Sequence, residues 1–452
     1  MKSNRLLLAA VLLAALSGLV YWANKKDDSE AKKTLPDTTP KILTLTEADI
    51  QEIDIKPREG DATVVKKDAA GKWAITAPKP MAADQGAVSS ITGAAASLVA
   101  DRVIDEHIGD VTPYGLAPAL ADVTFHMKDG KTVRLLVGND TPTGNATYAK
   151  VDGDPRLCTM ATFQKGNFNK SYKDLRDKRL MTFETDKISR IELTAKNATI
   201  EFGRVNSSEW QILKPRPMRA DGLQVEEMVR KVKDAAMDTS VSDEDAKKAA
   251  ASFGSATAVA VVKVTDASGT QTLEVRKSKD DYFGKSSVVD GVYKVSKDLG
   301  SGLEKSLDDF RNKKLFDFGF SEPTRVEFKD GPTVSVYEKS GDKWMSVGKT
   351  MDASTIQALI DKLRDLQGTK FVETGFGAPQ ITLTVISNDG KRTEKVEISP
   401  VAGAKDAKFV ARRNGEPALY ELDSNAVGDL RQAVSAVRQQ EAPPAAPDTK
   451  KK

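Results

Sequence analysis

Apolar residues recur along this chain first with period two and then with the spacing of a helix, and the succession occurs three times. Ile53 and Ile55, then Ile191 and Leu193, then Val326 and Phe328 open the three copies. Val64, then Ile200 and Phe202, then Val334 and Val336 continue them. The stretches Trp73–Ile75 and Trp210–Ile212, and Trp344 with Val347, make a third segment. Successive side chains of a strand point to opposite faces, so this alternation predicts an antiparallel meander with one buried face. Beyond it stands Asp84, Asp221 or Asp352, a residue suited to cap a helix. Counted from that Asp, apolar residues fall at +4, +7, +11 and +14: Val88, Ile91, Ala95, Leu98; Val225, Met228, Val232, Ala235; Ile356, Leu359, Leu363, Leu366. Those intervals line one face of a helix. Hairpin strands follow, such as Val123–Met127 with Val133–Val137 and Ile381–Ile386 with Glu394–Ile398. A further strand (Tyr148–Val151 in the first copy) and a short terminal helix near Leu175, Leu307 or Leu430 close each unit.

The copies are also alike in residue identity. Trp73–Asp84 and Trp210–Asp221 share seven of twelve positions without a gap, and the third copy, Trp344–Asp352, is three residues shorter. The tryptophans are spaced by 137 and then 134 residues. Leu175–Phe183 (LRDKRLMTF) pairs with Phe310–Phe318 (FRNKKLFDF), and the third counterpart reads as Leu430-Arg-Gln-Ala. Several landmarks in one order at one period mark a duplication. The fold class expected is therefore α+β: three tandem modules, each mainly antiparallel sheet with one longer and one short helix, after an N-terminal transmembrane helix.

That last element rests on Leu6–Ala23, eighteen uncharged residues behind Lys2 and Arg5 that end in Tyr21-Trp22. At ~1.5 Å per residue such a helix spans roughly 27 Å, near the thickness of a bilayer core. The competing reading is a cleaved signal peptide, with Ala15-Leu16-Ser17 before Gly18 as the small-residue site. The predicted organisation is an anchor or signal segment at 1–23, a flexible tether at 24–41, modules at 42–183, 184–318 and 319–440, and a Pro/Ala/Lys tail at 441–452. The junctions are short and carry Leu180, Met181 and Phe183, then Leu315, Phe316 and Phe318. They are expected to pack between neighbouring modules and stiffen the array. Charge does not decide the orientation, since lysines flank the apolar run on both sides. A short charged head nevertheless favours a cytoplasmic N-terminus and an exported body.

Composition narrows the function classes. The 68 basic and 65 acidic residues nearly cancel, at a net +3, which leaves no broad positive field for nucleic acid. The single Cys158 cannot form an internal disulfide. Only His107 and His126 exist, with no ligand-spaced Cys, Asp or Glu around them in sequence. Gly138–Gly144 lacks the Gly-Lys-Ser/Thr of a phosphate loop and reads as a hairpin loop. The tryptophans read as core, and the basic runs Arg176–Arg179 and Arg311–Lys314 as solvated helix faces. No residue is assigned a catalytic, cofactor-binding or metal-binding role, and no cofactor is expected.

The W-x-I-x-x-P core, Tyr114-Gly115-Leu116 before a strand, and Leu175–Leu180 after a hairpin resemble a bacterial membrane-anchored family known as domain of unknown function 4340. The likeness spans most of residues 42–440. It implies membrane attachment and genes often beside ABC-type transporter components, some similar to gliding-motility auxiliary proteins. It implies no catalytic residues. The function expected is thus a non-enzymatic cell-envelope protein: single-pass in the inner membrane through residues 6–23, with its body in the periplasm. Its partner would be a protein such as an ABC-type transporter subunit. The alternative is an envelope hydrolase using carboxylates such as Asp84, Asp221 or Asp352.

Overall fold

The computed structural model describes residues 39–206, 209–241, 243–403 and 408–440. The expected anchor at 6–23, the tether up to residue 38 and the tail at 441–452 lie outside the described residues. Among the described residues, no helix is long and apolar enough to cross a membrane. The chain divides into two compact units with the break between Lys178 and Arg179. The first holds the first module, and the second holds the other two.

In the first unit one antiparallel sheet runs in space as Met81–Ala82, Trp73–Ala77, Thr63–Lys67, Ile50–Pro57, Ala121–Met127, Thr132–Asp140, Ala146–Val151, Leu157–Ala161 and Arg102–Asp105. The first four of these strands form the meander that the alternation predicts. Its opening strand, Ile50–Pro57, becomes central because Ala121–Met127 returns beside it. Ile53, Ile55, Val65, Trp73 and Ile75 then share one buried face with Val88, Ile91 and Ala95 of the helix Gln85–Ala96.

The second unit contains two more sheets with the same path. The central pairs are Arg190–Ala195 with Thr257–Asp266, and Pro323–Asp330 with Ile381–Ser387. The third module closes its far edge with Lys370–Val372, as the first does with Arg102–Asp105. The second module does not. After its long helix comes the helix Asp243–Ser252, which packs beside the edge strand Val292–Val295. Its sequence, rich in Ala and Lys and without β-branched residues, favours a helix over an edge strand.

The three helix stripes hold in detail. The helices Gln85–Ala96, Gly222–Lys233 and Ala353–Asp365 bury the +4, +7 and +11 positions. They also bury +8 (Thr92, Val229 and Ile360), which polarity at Thr92 hides in the sequence. Position +14 lies past each helix yet is buried too, at Leu98, Ala235 and Leu366. Each Asp accepts a bond from the first turn: Asp84 from the Ala87 N–H at 3.1 Å, Asp221 from Gln224 at 3.2 Å, and Asp352 from Ser354 at 2.9 Å. Asp221→Ala should therefore cost about 0.5–2 kcal/mol of stability, read by urea unfolding. An unchanged midpoint would mean that the cap contributes nothing.

Other expectations need correction. The first two modules have more than one longer and one short helix, and the third has two long helices and no short one among the described residues. Thr162–Phe168 and Lys297–Leu303 precede the short helices Tyr172–Leu175 and Leu307–Phe310, whereas the third module ends in a single twelve-residue helix, Ser424–Ser435. The third counterpart of Leu175-Arg176 is not Leu430-Arg431. Bridges pair Ala83 with Arg176, Ala220 with Arg311 and Met351 with Gln439, so Arg438-Gln439 occupies that place. Val347 is not a core partner of Trp344. It is 97% exposed on the two-residue turn Val347-Gly348, whose positive φ angles (48° and 73°) suit a tight hairpin. That turn replaces the longer Pro-x-Pro turns and accounts for the three missing residues.

The junction residues also have definite owners. Leu180, Met181 and Phe183, counted above with the first module, are buried in the core of the second. Leu315, Phe316 and Phe318, counted with the second, are buried in the core of the third. Apolar junction residues thus open the next core rather than lying shared between two modules. The basic runs are no helix faces either. The short helices end at Leu175 and Phe310, and the basic residues continue as an extended chain.

Candidate functional site

Within the second unit, the second and third modules meet through charges. The two-residue edge strand Met218–Arg219 pairs with Gln211 and Ile212, and its position at the sheet rim leaves the Arg219 side chain free to reach the third module. There Arg219 forms ion pairs with Asp317 at 2.6 Å and Glu416 at 2.8 Å. It also donates to the Lys314 carbonyl at 2.7 Å and to the Tyr420 hydroxyl at 2.9 Å. Tyr420 in turn donates to Glu416 at 2.9 Å.

Arg413 supports the same acids from the third module's own sheet. It pairs with Asp317 at 3.2 Å, Glu394 at 3.2 Å and Glu416 at 2.9 Å, and donates to the Leu315 carbonyl at 3.0 Å. Arg392 stands 3.4 Å from Glu394. The Asp317 backbone N–H donates to Glu394 at 2.8 Å, which ties the junction to the sheet. Beside this network a cavity of about 170 Å³ is lined by Arg216, Met218, Arg219, Arg311, Phe371 and Tyr420, among others. The Arg311 guanidinium, held by Asp308 at 2.9 Å, lies 3.3 Å from the Phe371 ring centre.

Burial opposes the Arg219 charge, yet Asp317, Tyr420 and Glu416 outweigh it and hold its pKa above the ordinary value. Burial likewise raises the Tyr420 phenol. Guanidinium groups do not give up protons near neutrality, and each carboxylate here is engaged by at least one of them. Such a group of charges is built to hold surfaces together rather than to pass protons. Arg219 takes the place of Ala82 in the first copy and Thr350 in the third. That departure between copies is the signal from which the site could have been found.

The residues weighed in the sequence fall elsewhere. Trp73, Trp210 and Trp344 are buried, as a core role requires. Asp84, Asp221 and Asp352 are helix caps, one in each module. Cys158 is buried, which pushes its thiol pKa up. Gly138 belongs to a hairpin strand, and a side chain there would run into the Tyr114 carbonyl at 2.4 Å, so close packing accounts for the glycine. His107 is exposed on a loop. His126, by contrast, lies beside Glu52 and Asp54, a grouping hidden by the 72 positions that separate His126 from Asp54.

A family model described as Domain of unknown function (DUF4340) matches residues 73–217 and 210–380. No curated protein and no solved structure matches the chain. Both segments begin at a repeat tryptophan, Trp73 or Trp210, so the family unit runs from one meander into the next. With the two segments together reaching from the first meander into the third module, the chain belongs to the DUF4340 family.

Proposed function

We propose that this protein is a non-enzymatic, membrane-anchored component of the cell envelope, a tandem-module arm that binds a protein partner, with an ABC-type transport system as the setting. Residues 6–23 anchor it in the inner membrane and the body stands in the periplasm. The observation that carries this reading is the use made of the most densely built charges in the second unit. Arg219, Asp317, Glu416 and Arg413 are spent on fastening one module to the next. A fastened pair of modules can hold a binding surface at a fixed distance, which an arm requires and a lone domain does not. The sheets supply surfaces of matching character. In every module, the strand face opposite the helices carries ion-paired side chains such as Asp122–Arg134, Arg190–Glu201 and Glu397–Arg412.

Two measurements test the proposal. An alkaline phosphatase fused after Lys452 should be active in cells, while a fluorescent reporter that matures only in the cytoplasm should stay dark. The opposite pattern would end the periplasmic assignment. Affinity capture of the full chain from detergent-solubilised membranes should return transporter subunits, and repeated capture without any envelope component would end the accessory role.

A further inference from the structure

On the first module's sheet, Glu52 and Asp54 alternate with the buried Ile53 and Ile55, so both carboxylates lie on the face away from the helix. Glu52 stands directly opposite His126 on the neighbouring strand. One oxygen from each acid and a ring nitrogen of His126 lie within 4.8 Å of one another. The His126 Nε2 is 3.1 Å from Asp54 Oδ2. The other oxygen, Asp54 Oδ1, is shut off from solvent and has no hydrogen-bond donor among the described residues. A shielded carboxylate oxygen without a donor is costly unless something else supplies positive charge.

The sister modules fill the same spot differently. Opposite-strand pairing sets Glu52 against His126, Arg190 against Thr265 and Arg325 against Ile386. Two residues on from each stands an acid: Asp54, Glu192 or Glu327. In the sister copies the arginine neutralises that acid, with Arg190–Glu192 at 2.8 Å and Arg325–Glu327 at 3.4 Å. In the first module the arginine is replaced by a second carboxylate, and an imidazole is added across the strand. The arginine built into the other copies is gone, the cation left beside the acids is Lys66 on the next strand, and three side chains of metal-ligand type stand together.

We propose that Glu52, Asp54 and His126 bind a divalent first-row transition metal ion, with zinc the best match. One imidazole nitrogen and two carboxylate oxygens form a donor set that zinc accepts, with a further position left for water or a partner's ligand. Magnesium, which demands an octahedral shell of oxygens, fits the imidazole poorly. The resident competitor is Lys66, whose ammonium lies 2.6 Å from Glu52. Its side chain is 59% exposed, so swinging away into water costs it little burial.

Titration calorimetry of the full-length chain in detergent, without a histidine tag, tests the site with zinc chloride. The expected result is saturable binding of one ion per chain, with no comparable heat from magnesium. His126→Ala and Asp54→Asn should each weaken binding by more than about tenfold, since even outer-shell partners of a metal are worth that much. Glu52→Arg installs the residue of the sister copies, so it should melt like the parent and lose the ion. Lys66→Ala should tighten binding. If His126→Ala does not fold, Glu52→Arg decides alone. The absence of saturable zinc binding would overturn the site, as would equal binding by the parent and Glu52→Arg.

Discussion

Trp210→Ala should destabilise the second module by ~3–5 kcal/mol, the range for emptying a large aromatic site in a core. The indole is 3% exposed and packs with Ile212, Val225 and other members of that module's hydrophobic cluster. Its Nε1–H donates to Glu226 at 2.5 Å, and the Arg204 guanidinium lies 4.4 Å from the ring centre. Removal therefore takes away apolar burial, a charge-assisted hydrogen bond and a cation–π contact together. A loss of that size is a large share of the roughly 5–15 kcal/mol by which a domain is stable. The first module has a separate core, so hydrogen exchange should accelerate in the strands around Arg190–Ala195 and leave Ile50–Pro57 unaffected. Trp210→Phe, which keeps the ring and loses the donor, should recover most of the protection. Full protection in the alanine variant would mean that the indole is not a core residue.

The part of the fold that could be read in the sequence is the part set by local period. Ile53 and Ile55, or Val225 and Met228, declare a strand face or a helix stripe because neighbouring residues alone decide them. Repetition then turned weak local signals into firm ones. The Asp at the end of each meander is an unremarkable residue once, but it becomes a cap when three copies place it before the same stripe. Where the copies diverge, local period misleads. Val347 follows Trp344 much as Ile75 and Ile212 follow their tryptophans, which points to the core, whereas the shortened turn carries it into solvent. Leu430 resembles Leu175 in residue type, although backbone pairing puts Arg438 in that place.

Ownership of buried residues was likewise out of reach. The apolar character of Leu180, Met181 and Phe183 says that they are buried, and nothing in it says in which core. Pairings across long separations were hidden for a related reason. Arg219 reaches Asp317 across 98 positions and Tyr420 across 201, and a charged residue in a turn looks the same whether it is solvated or locked. Glu52, Asp54 and His126 meet only because the return strand Ala121–Met127 lies beside the opening strand. In both cases one observation was open to sequence reading: a residue class changes at one repeat position while its neighbours persist.

Arg219→Ala should uncouple the second and third modules. Removing one member of a fully buried ion pair strands its partners at a cost of about 3–5 kcal/mol, and these side chains, 20–24% exposed, make that range an upper bound. Here the stranded groups are Asp317 and Glu416, and the Tyr420 hydroxyl loses a donor. Arg413 still pairs with both acids, which places the expected loss near the lower end of that range. Lysine would not restore the site, because one ammonium cannot match the fork that reaches Asp317, Glu416 and the Lys314 carbonyl together. Since each module has its own core, the loss should fall on the coupling and leave the cores intact. Calorimetry of the parent should show the two modules melting as one transition, and Arg219→Ala should split it. Little of the effect should be mimicked by adding salt to the parent, because partly buried pairs are screened much less than exposed ones. Glu416→Gln should weaken the coupling less, and combining it with Arg219→Ala should cost less than the two changes separately. A single unsplit transition in Arg219→Ala would show that the modules are held by something other than this network, and the fastened arm would lose its physical basis.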